Sequence, residues 1–536
     1  MMPASHIRPQ HPPVPNNPLA GVVQAEVGGD ASSQASTTTV SPAVQDAIDR
    51  IDLIPYAAED LEGISPRVEP EVELVSFSIV DAGPLRQVDA DAIAARLRSD
   101  HEPPVELFRI EQSDLPGFSI CQTIWDALPN ASALKVFGAT SCNFYEEETV
   151  CNLFEKLSQC EAIQDVYFRD VGQWLPESTA QLSRSIARFL RRKSDTLRLL
   201  SLACNEHVEI DLDLEQGLRS MQHRQNLQHF NMWMNALGDD RICPIVNVLA
   251  LPGWKLRSVD LAENNLTAAM LPSISNLMNS CRHTLRLLRL SDNPRLLAPG
   301  EAKPTDIKDF LQTFRQCHAM HSFSIDQCGV DGPLALGVFE SCVTHGNSQF
   351  HVPLRQICMQ NNPSIGQDCW RRIIRDVIPR MATLKLLFVS DFEYEADMRM
   401  SFSKNMVLEW VEPAWFTSRS GLDRAVNDIL ARNRLRNRRY RQVQHLLQGP
   451  VALGAQTAAV RRLIRDGDAG KAGLFMILSR LAETSHTRSC YAGSTCVDQG
   501  AGDANGEGVA STVVKVGVED TMLEARPPKR RRQIAP

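Results

Sequence analysis

The chain has 536 residues, of which 43% are hydrophobic and 22% charged, with a formal net charge of −8 at pH 7. That balance suits a core-forming chain and excludes an overall basic nucleic-acid binder. With no apolar leader, no run near the ~18 residues of a membrane span and fourteen scattered cysteines, the expectation is a reduced, membrane-free protein inside the cell, cytoplasmic or nuclear.

Residues 1–70 come first. Their "HIRPQHPPVPNNP" and "SSQASTTTVSP" are rich in Pro, Ser, Thr and Gln and lack a hydrophobic period, which predicts a disordered amino-terminal segment.

A pattern then begins and does not stop for more than three hundred residues. Weak copies are "LVSFSIVDA" from Leu74 and "VELFRIEQSDL" from Val105, followed by "LKVFGATSCNF" from Leu134 and "IQDVYFRDV" from Ile163. Strong copies are "LRLLSLACN" from Leu197, "LQHFNMWMNAL" from Leu227, "LRSVDLAENNLT" from Leu256 and "LRLLRLSDNPRL" from Leu285. "MHSFSIDQCGV" from Met320, "LRQICMQNNPSI" from Leu354 and "LKLLFVSDF" from Leu384 complete eleven phases. The intervals are 31, 29, 29, 34, 30, 29, 29, 35, 34 and 30 residues. A fixed period near thirty means a solenoid.

Within each copy the first, fourth and sixth residues are apolar and point into a stacked core from a short strand. The ninth residue is Asn205, Asn235, Asn264, Asn293 or Asn362 in the best copies. A buried amide there can serve backbone groups that the turn leaves unpaired, so stacked copies predict an asparagine ladder. Cys142 and Cys328 take the slot with a weaker donor, and Ala82, Ser113, Val171 and Phe392 depart from it. After each turn a helical stretch returns the chain. Leu271, Ile274, Leu277, Met278 and Cys281 fall at helical spacing, with Pro272 in a first turn, where its missing N–H costs little. Comparable faces occur in "EEETVCNLFEKLSQC", "TAQLSRSIARFLRR" and "DCWRRIIRDVIPRM".

From Leu74 to Phe392 the arrangement resembles the leucine-rich repeat family, and its long strand-plus-helix period is similar to the ribonuclease-inhibitor-like class. The resemblance implies an α/β solenoid over residues 71–402, about eleven repeats, curved like a horseshoe with parallel strands on the concave face and helices on the convex one. Strands are expected near Val136, Val166, Leu200, Phe230, Val259, Leu288, Phe323, Ile357 and Leu387, with loops around 297–305 and 344–353.

Residues 403–483 read as a helical carboxy-terminal cap. Leu422, Val426, Ile429, Tyr440, Val443 and Leu447 form an apolar face interrupted by Asn433 and Arg436, and Val460, Leu463, Leu474, Ile477, Leu478 and Leu481 suggest a second helix. The arginine-rich "RNRLRNRRYRQ" within the helix at 419–447 is a solvated basic face, with an acidic protein or phosphates as alternative contacts. Residues 484–536 read as a disordered tail. It ends on Lys529, Arg530, Arg531 and Arg532 beside two prolines, a candidate nuclear signal.

The search for chemistry is nearly empty. There is no phosphate-binding G-x-x-x-x-G-K-[ST] loop, no H-E-x-x-H, no paired C-x-x-C and no G-x-S-x-G, so no catalytic residue, cofactor or metal is expected. Function is expected on the concave face, where residues two, four and six after each repeat start should point outward. Tyr167, Arg169, Asn231, Trp233, Asp260, Arg289, Asp326 and Gln360 are the candidate partner-binding residues, because Tyr, Trp and Arg dominate binding hot spots. The expected function is a non-catalytic scaffold for a protein partner, with no membrane and no nucleic acid. The alternative is a regulator of a small GTPase, since the Ran GTPase-activating proteins resemble this architecture. Their acidic tail is replaced here by a basic end.

Overall fold

A computed structural model describes residues 39–49, 52–56, 72–98, 103–115, 117–171, 179–205, 212–221, 226–343, 351–389, 395–405 and 407–413, and helical residues 426, 428–435 and 437. They belong to the first of two compact units, Met1–Arg438. The second cap helix, the tail at 484–536 and the basic cluster Lys529 to Arg532 lie outside the described residues.

Among the described residues the strands form one fourteen-stranded sheet, thirteen of them in chain order and the short Asn143–Phe144 paired beside residues 114–115, and all pairings are parallel except that of the first strand. In the middle they are only three residues long: Leu199–Ser201, His229–Asn231, Ser258–Asp260, Leu287–Arg289 and Ser322–Ser324. Val136–Thr140, Asp165–Arg169, Gln356–Met359 and Leu386–Val389 flank them, so every strand expected from the period is present. Register is maintained without slippage: Leu200, Phe230, Val259, Leu288, Phe323, Ile357 and Leu387 are successive partners. A helix returns the chain between successive repeats, as in Glu147–Leu157, Gly238–Leu249, Leu271–Ser280 and Pro304–Phe314. The architecture is a leucine-rich-repeat-like α/β solenoid.

Its core lies between the sheet and the helices. Leu256, Val259 and Leu261 of one strand segment and Leu285, Leu288 and Leu290 of the next are fully buried, as are Leu271, Ile274, Leu277 and Met278 on the returning helix. Toward the amino terminus the same positions hold rings. Phe77 stacks on Phe108 at 5.4 Å and Phe108 meets Phe137 edge-on at 5.9 Å. Phenylalanine fills the slot that leucine fills later, which is why the early copies look faint in the sequence yet pack in the same register.

The ninth residue of each repeat bridges coils. Asn293 donates to the carbonyls of Leu261 (3.1 Å) and Leu290 (2.8 Å), and its Oδ1 accepts from the N–H groups of Asn264 (3.1 Å) and Leu266 (2.9 Å). Asn205 donates to Phe168, Asn235 to Leu202 and Met232, Asn264 to Met232, and Asn362 to Ile325. Where cysteine stands in the slot the thiol makes the corresponding bond, Cys328 to Leu290 O at 3.0 Å and Cys142 to Ile110 O at 3.3 Å. Ser113 donates to Glu111 O instead. The residue just before this slot has a positive φ throughout, from Asp81 and Gln112 through Cys204, Glu263 and Asp292 to Gln327 and Asn361. That left-handed step turns the chain off the strand and aims the following amide inward.

Both ends differ from the sequence reading. Within residues 1–70, Pro42–Asp49 is a helix with Val44 and Ala47 buried, and Asp52–Tyr56 pairs antiparallel with residues 72–76. A strand of opposite direction covers the first sheet edge, a short element that the Pro- and Ser-rich average hides. At the other end the sheet continues past 402: Trp410–Pro413 pairs in parallel with Leu386–Val389, adding a strand inside the segment read as all-helical. Beyond it, Asn433 does not interrupt an apolar face. It is buried beside Val426, Ile429 and Leu430, and donates to the carbonyls of Asn405 and Leu408, both at 2.9 Å. Asn437 donates to Val407 O at 3.0 Å. These amides supply donors to carbonyls of the last described coil.

Candidate functional site on the open face of the sheet

Residues on the sheet face away from the helices run in columns whose successive members are about 4.8 Å apart. The middle column reads Tyr167, Ser201, Asn231, Asp260, Arg289, Ser324 and Cys358 in successive pairings. Sequence alone assigns these residues to an exposed surface. Many are buried instead, because short side chains in a column are walled in by both neighbours. Ser201 and Asp260 show no exposure, Asn231 2% and Tyr167 3%. Tyr167 sits in a small apolar cluster with Leu74, Leu107, Val136 and Leu199, separate from the main core, so its ring packs against this chain.

Asn231 and Asp260 do the same local work. Asn231 Oδ1 accepts from Trp233 N–H at 2.8 Å, and Asp260 Oδ1 accepts from Ala262 N–H at 3.1 Å, each fixing the backbone as the strand ends. The other Asp260 oxygen takes a hydrogen bond from Arg289 Nη1 at 2.9 Å. Burial pushes the Asp260 carboxyl above the usual carboxylate range, and Arg289 counters it. A buried carboxylate so placed holds the guanidinium at a fixed position while leaving 31% of its side chain exposed.

Around this pair lies the accessible part of the site. Arg169 stands 5.7 Å from the centroid of the Trp233 ring, and the indole N–H donates to Glu263 Oε1 at 2.9 Å. The ring is held from its face by a cation and from its edge by a carboxylate. Two repeats on, Asp326 collects Gln360 N–H (2.6 Å), Ser324 Oγ (2.9 Å) and Ser291 Oγ (3.1 Å). Burial raises the Asp326 pKa against these bonds. Asp292 lies between Glu263 and Asp326; burial first, then these two negative charges, raise it from 3.8 to about 6.

The candidates therefore separate into two groups. Arg169, Trp233, Arg289, Asp326 and Gln360 form the partly exposed band, while Tyr167, Asn231 and Asp260 support it from below. Sequence reasoning missed Glu263 and Asp292. A signal was present, since both stand immediately before a ladder asparagine, but only a column-by-column reading of that position would have found it. Among the described residues no group of three or more His, Cys, Asp or Glu side chains is arranged to hold a metal ion, and no helix is long and apolar enough to cross a membrane.

No protein-family model matches this chain, and no curated protein matches it. Among solved structures it is similar to a chain of the yeast Rad7 and Elc1 complex, at 12% identity over 60% of this chain and 77% of that one, with a TM-score of 0.37. It is similar to an internalin of Listeria monocytogenes, at 14% identity over 71% of this chain and 99% of that one, with a TM-score of 0.32. The tropomodulin C-terminal domain of Caenorhabditis elegans matches at 13% identity over 48% of this chain and 98% of that one, with a TM-score of 0.18.

Proposed function

We propose that this chain is a non-catalytic scaffold that binds a partner protein on the open face of its sheet, and that its repeats belong to the ribonuclease-inhibitor-like class. The class is supported by a full helix in each long repeat. The observation that carries the binding reading is the pre-set aromatic and arginine pair: Trp233 fixed between Arg169 and Glu263, with Arg289 fixed by Asp260 one column away. Side chains held in place before binding lose little conformational freedom on contact, and Trp and Arg are the residue types that most often carry interface energy.

Affinity capture with the whole chain, followed by titration of the purified partner in a calorimeter, tests this. Trp233→Ala is expected to weaken that complex by about thirtyfold, the consequence of losing a hot spot worth about 2 kcal/mol. Arg289→Ala should act in the same direction. A partner that binds Trp233→Ala, Arg289→Ala and the unaltered chain equally would place the interface elsewhere and end this reading.

A further inference from the structure

The edge of the sheet at which the strands begin carries a second, unrelated arrangement of charge. The residue after each repeat's first apolar position lies at this edge, and backbone bonds join these residues in a row: Arg257 N–H to Gln228 O, Arg286 to Arg257, His321 to Arg286, Arg355 to His321 and Lys385 to Arg355, all at 2.6–2.8 Å. Ion pairs in the row include Arg198 with Asp165 and Lys385 with Glu409. The helix-to-strand turns along it are strongly one-sided in sequence. Residues 251–257, 281–286, 315–321, 351–355 and 381–385 contain eleven Lys, Arg or His and no Asp or Glu.

The cations are close enough to act on one another. Burial, then Arg355 and Arg286 on either side, lowers His321 from 6.5 to about 4. His318 is lowered by burial and by His283, Arg282 and His351, and its ring lies 6.1 Å from that of His283. Arg286 and Arg355 thus help to hold His321 neutral between them, while the open face beside this rim carries Glu263, Asp292 and Asp326.

We propose that this strand-start rim binds a short acidic segment of the partner protein in extended form. The proposal rests on the scaffold reading but assigns the contact to a separate surface. Four strand spacings from Arg257 to Lys385 span about 19 Å, the length of about six extended residues. A short acidic peptide fits that span and stays on the rim. A nucleic acid, charged along its whole length, would run beyond the rim into a chain whose net charge is −8 and meet like charge.

The test is fluorescence polarisation of a fluorescein-labelled octaglutamate peptide titrated with the full chain at low and at physiological salt. Saturable binding that weakens with salt is expected, and Lys255→Glu with Arg355→Glu, both exposed positions, should weaken it at least about tenfold. Thermal unfolding confirms that the double variant is folded, and Arg355→Glu alone should give a smaller loss in the same direction. Trp233→Ala should leave peptide binding unchanged, so the open-face reading can fail without touching this one. Absence of saturable binding, or equal binding by the folded double variant, overturns the proposal. So does tighter binding of a single-stranded DNA of equal charge that the same double variant loses, which would assign the rim to phosphates.

Discussion

The two rims of this sheet are produced by the same repeat, yet only one of them has a conformational reason for its charge. At the strand ends, the position before the ladder residue holds Asp170, Glu263, Asp292, Gln327 and Asn361, each at positive φ. Asp and Asn tolerate the left-handed region better than most residues, so the backbone itself favours part of this rim's chemistry. At the strand starts, Arg257, Arg286, His321, Arg355 and Lys385 have no positive φ and stand next to fully buried Leu256, Leu285, Met320, Leu354 and Leu384. Nothing in the backbone requires a basic residue there, and Arg286 and Arg355 flank a His321 that they help to hold neutral. Acid at one rim is partly a by-product of folding; base at the other has no such backbone reason.

The comparison depends on stacked coils, so the largest expected effect comes from breaking the stack. Leu261 and Leu290 are fully buried, and replacing either by Ala should cost about 2–5 kcal/mol, the transfer and cavity cost of a truncated core leucine. Denaturant titration measures it. Both rims lose their alignment together if the coils separate, so octaglutamate binding should fall with the folded fraction in these variants. A Leu290→Ala protein with an unchanged midpoint would mean that the repeats are not held by this core.

A smaller effect concerns the turn that sets the acidic rim. Asn293→Ala removes a donor from the carbonyls of Leu261, Leu290 and Ser291 and the acceptor of the Asn264 and Leu266 N–H groups, and should cost about 1–3 kcal/mol. Asn264 is the useful contrast. Its Nδ2 serves Met232 O at 2.7 Å and Ala262 O at 2.9 Å, but its Oδ1 has no hydrogen-bond partner among the described residues. Asn264→Ala should therefore cost less, about 1 kcal/mol. Equal midpoints for the two variants would show that the acceptor half of the ladder adds nothing.

Period and side-chain type made the central fold legible, because the leucine positions and the asparagine at the ninth residue are forced by stacking. Legibility faded at the ends for physical reasons. Phe77, Phe108 and Phe137 fill the same core slots with a different residue, Cys142 and Ser113 replace the amide, and the covering strand Asp52–Tyr56 is too short to carry a period of its own. The open face was less legible than the core. The 2-residue alternation says which way a side chain points, but it does not say how deeply its neighbours wall it in, so Tyr167, Asn231 and Asp260 read as exposed. The row of strand-start cations was in plain view, but its members lie about thirty residues apart and become neighbours only once the register is known.

The smallest effect separates the rims by pH. Asp292 on the acidic rim is raised from 3.8 to about 6, chiefly by burial and then by Glu263 and Asp326, with Arg289 opposing. His321 on the basic rim is lowered from 6.5 to about 4, chiefly by burial and then by Arg355 and Arg286. Between pH 4 and 6 the folded protein thus holds more proton at Asp292 than the unfolded chain does, and less at His321. Stability rises with pH where the unfolded chain binds more protons. His321 therefore contributes a rising slope from pH 4 to 6.5, and Asp292 a falling slope from pH 4 to 6, so the two oppose each other in the intact protein. Both side chains are half-buried, and solvent reduces each contribution to about 1 kcal/mol. Asp292→Asn removes the falling contribution, so that variant should gain on the unaltered protein as pH rises from 4 to 6. His321→Gln removes the rising one and should lose ground over the same interval. Unfolding midpoints measured at half-unit steps decide it: parallel profiles for all three proteins would show that the rims do not carry the opposite electrostatic environments described above.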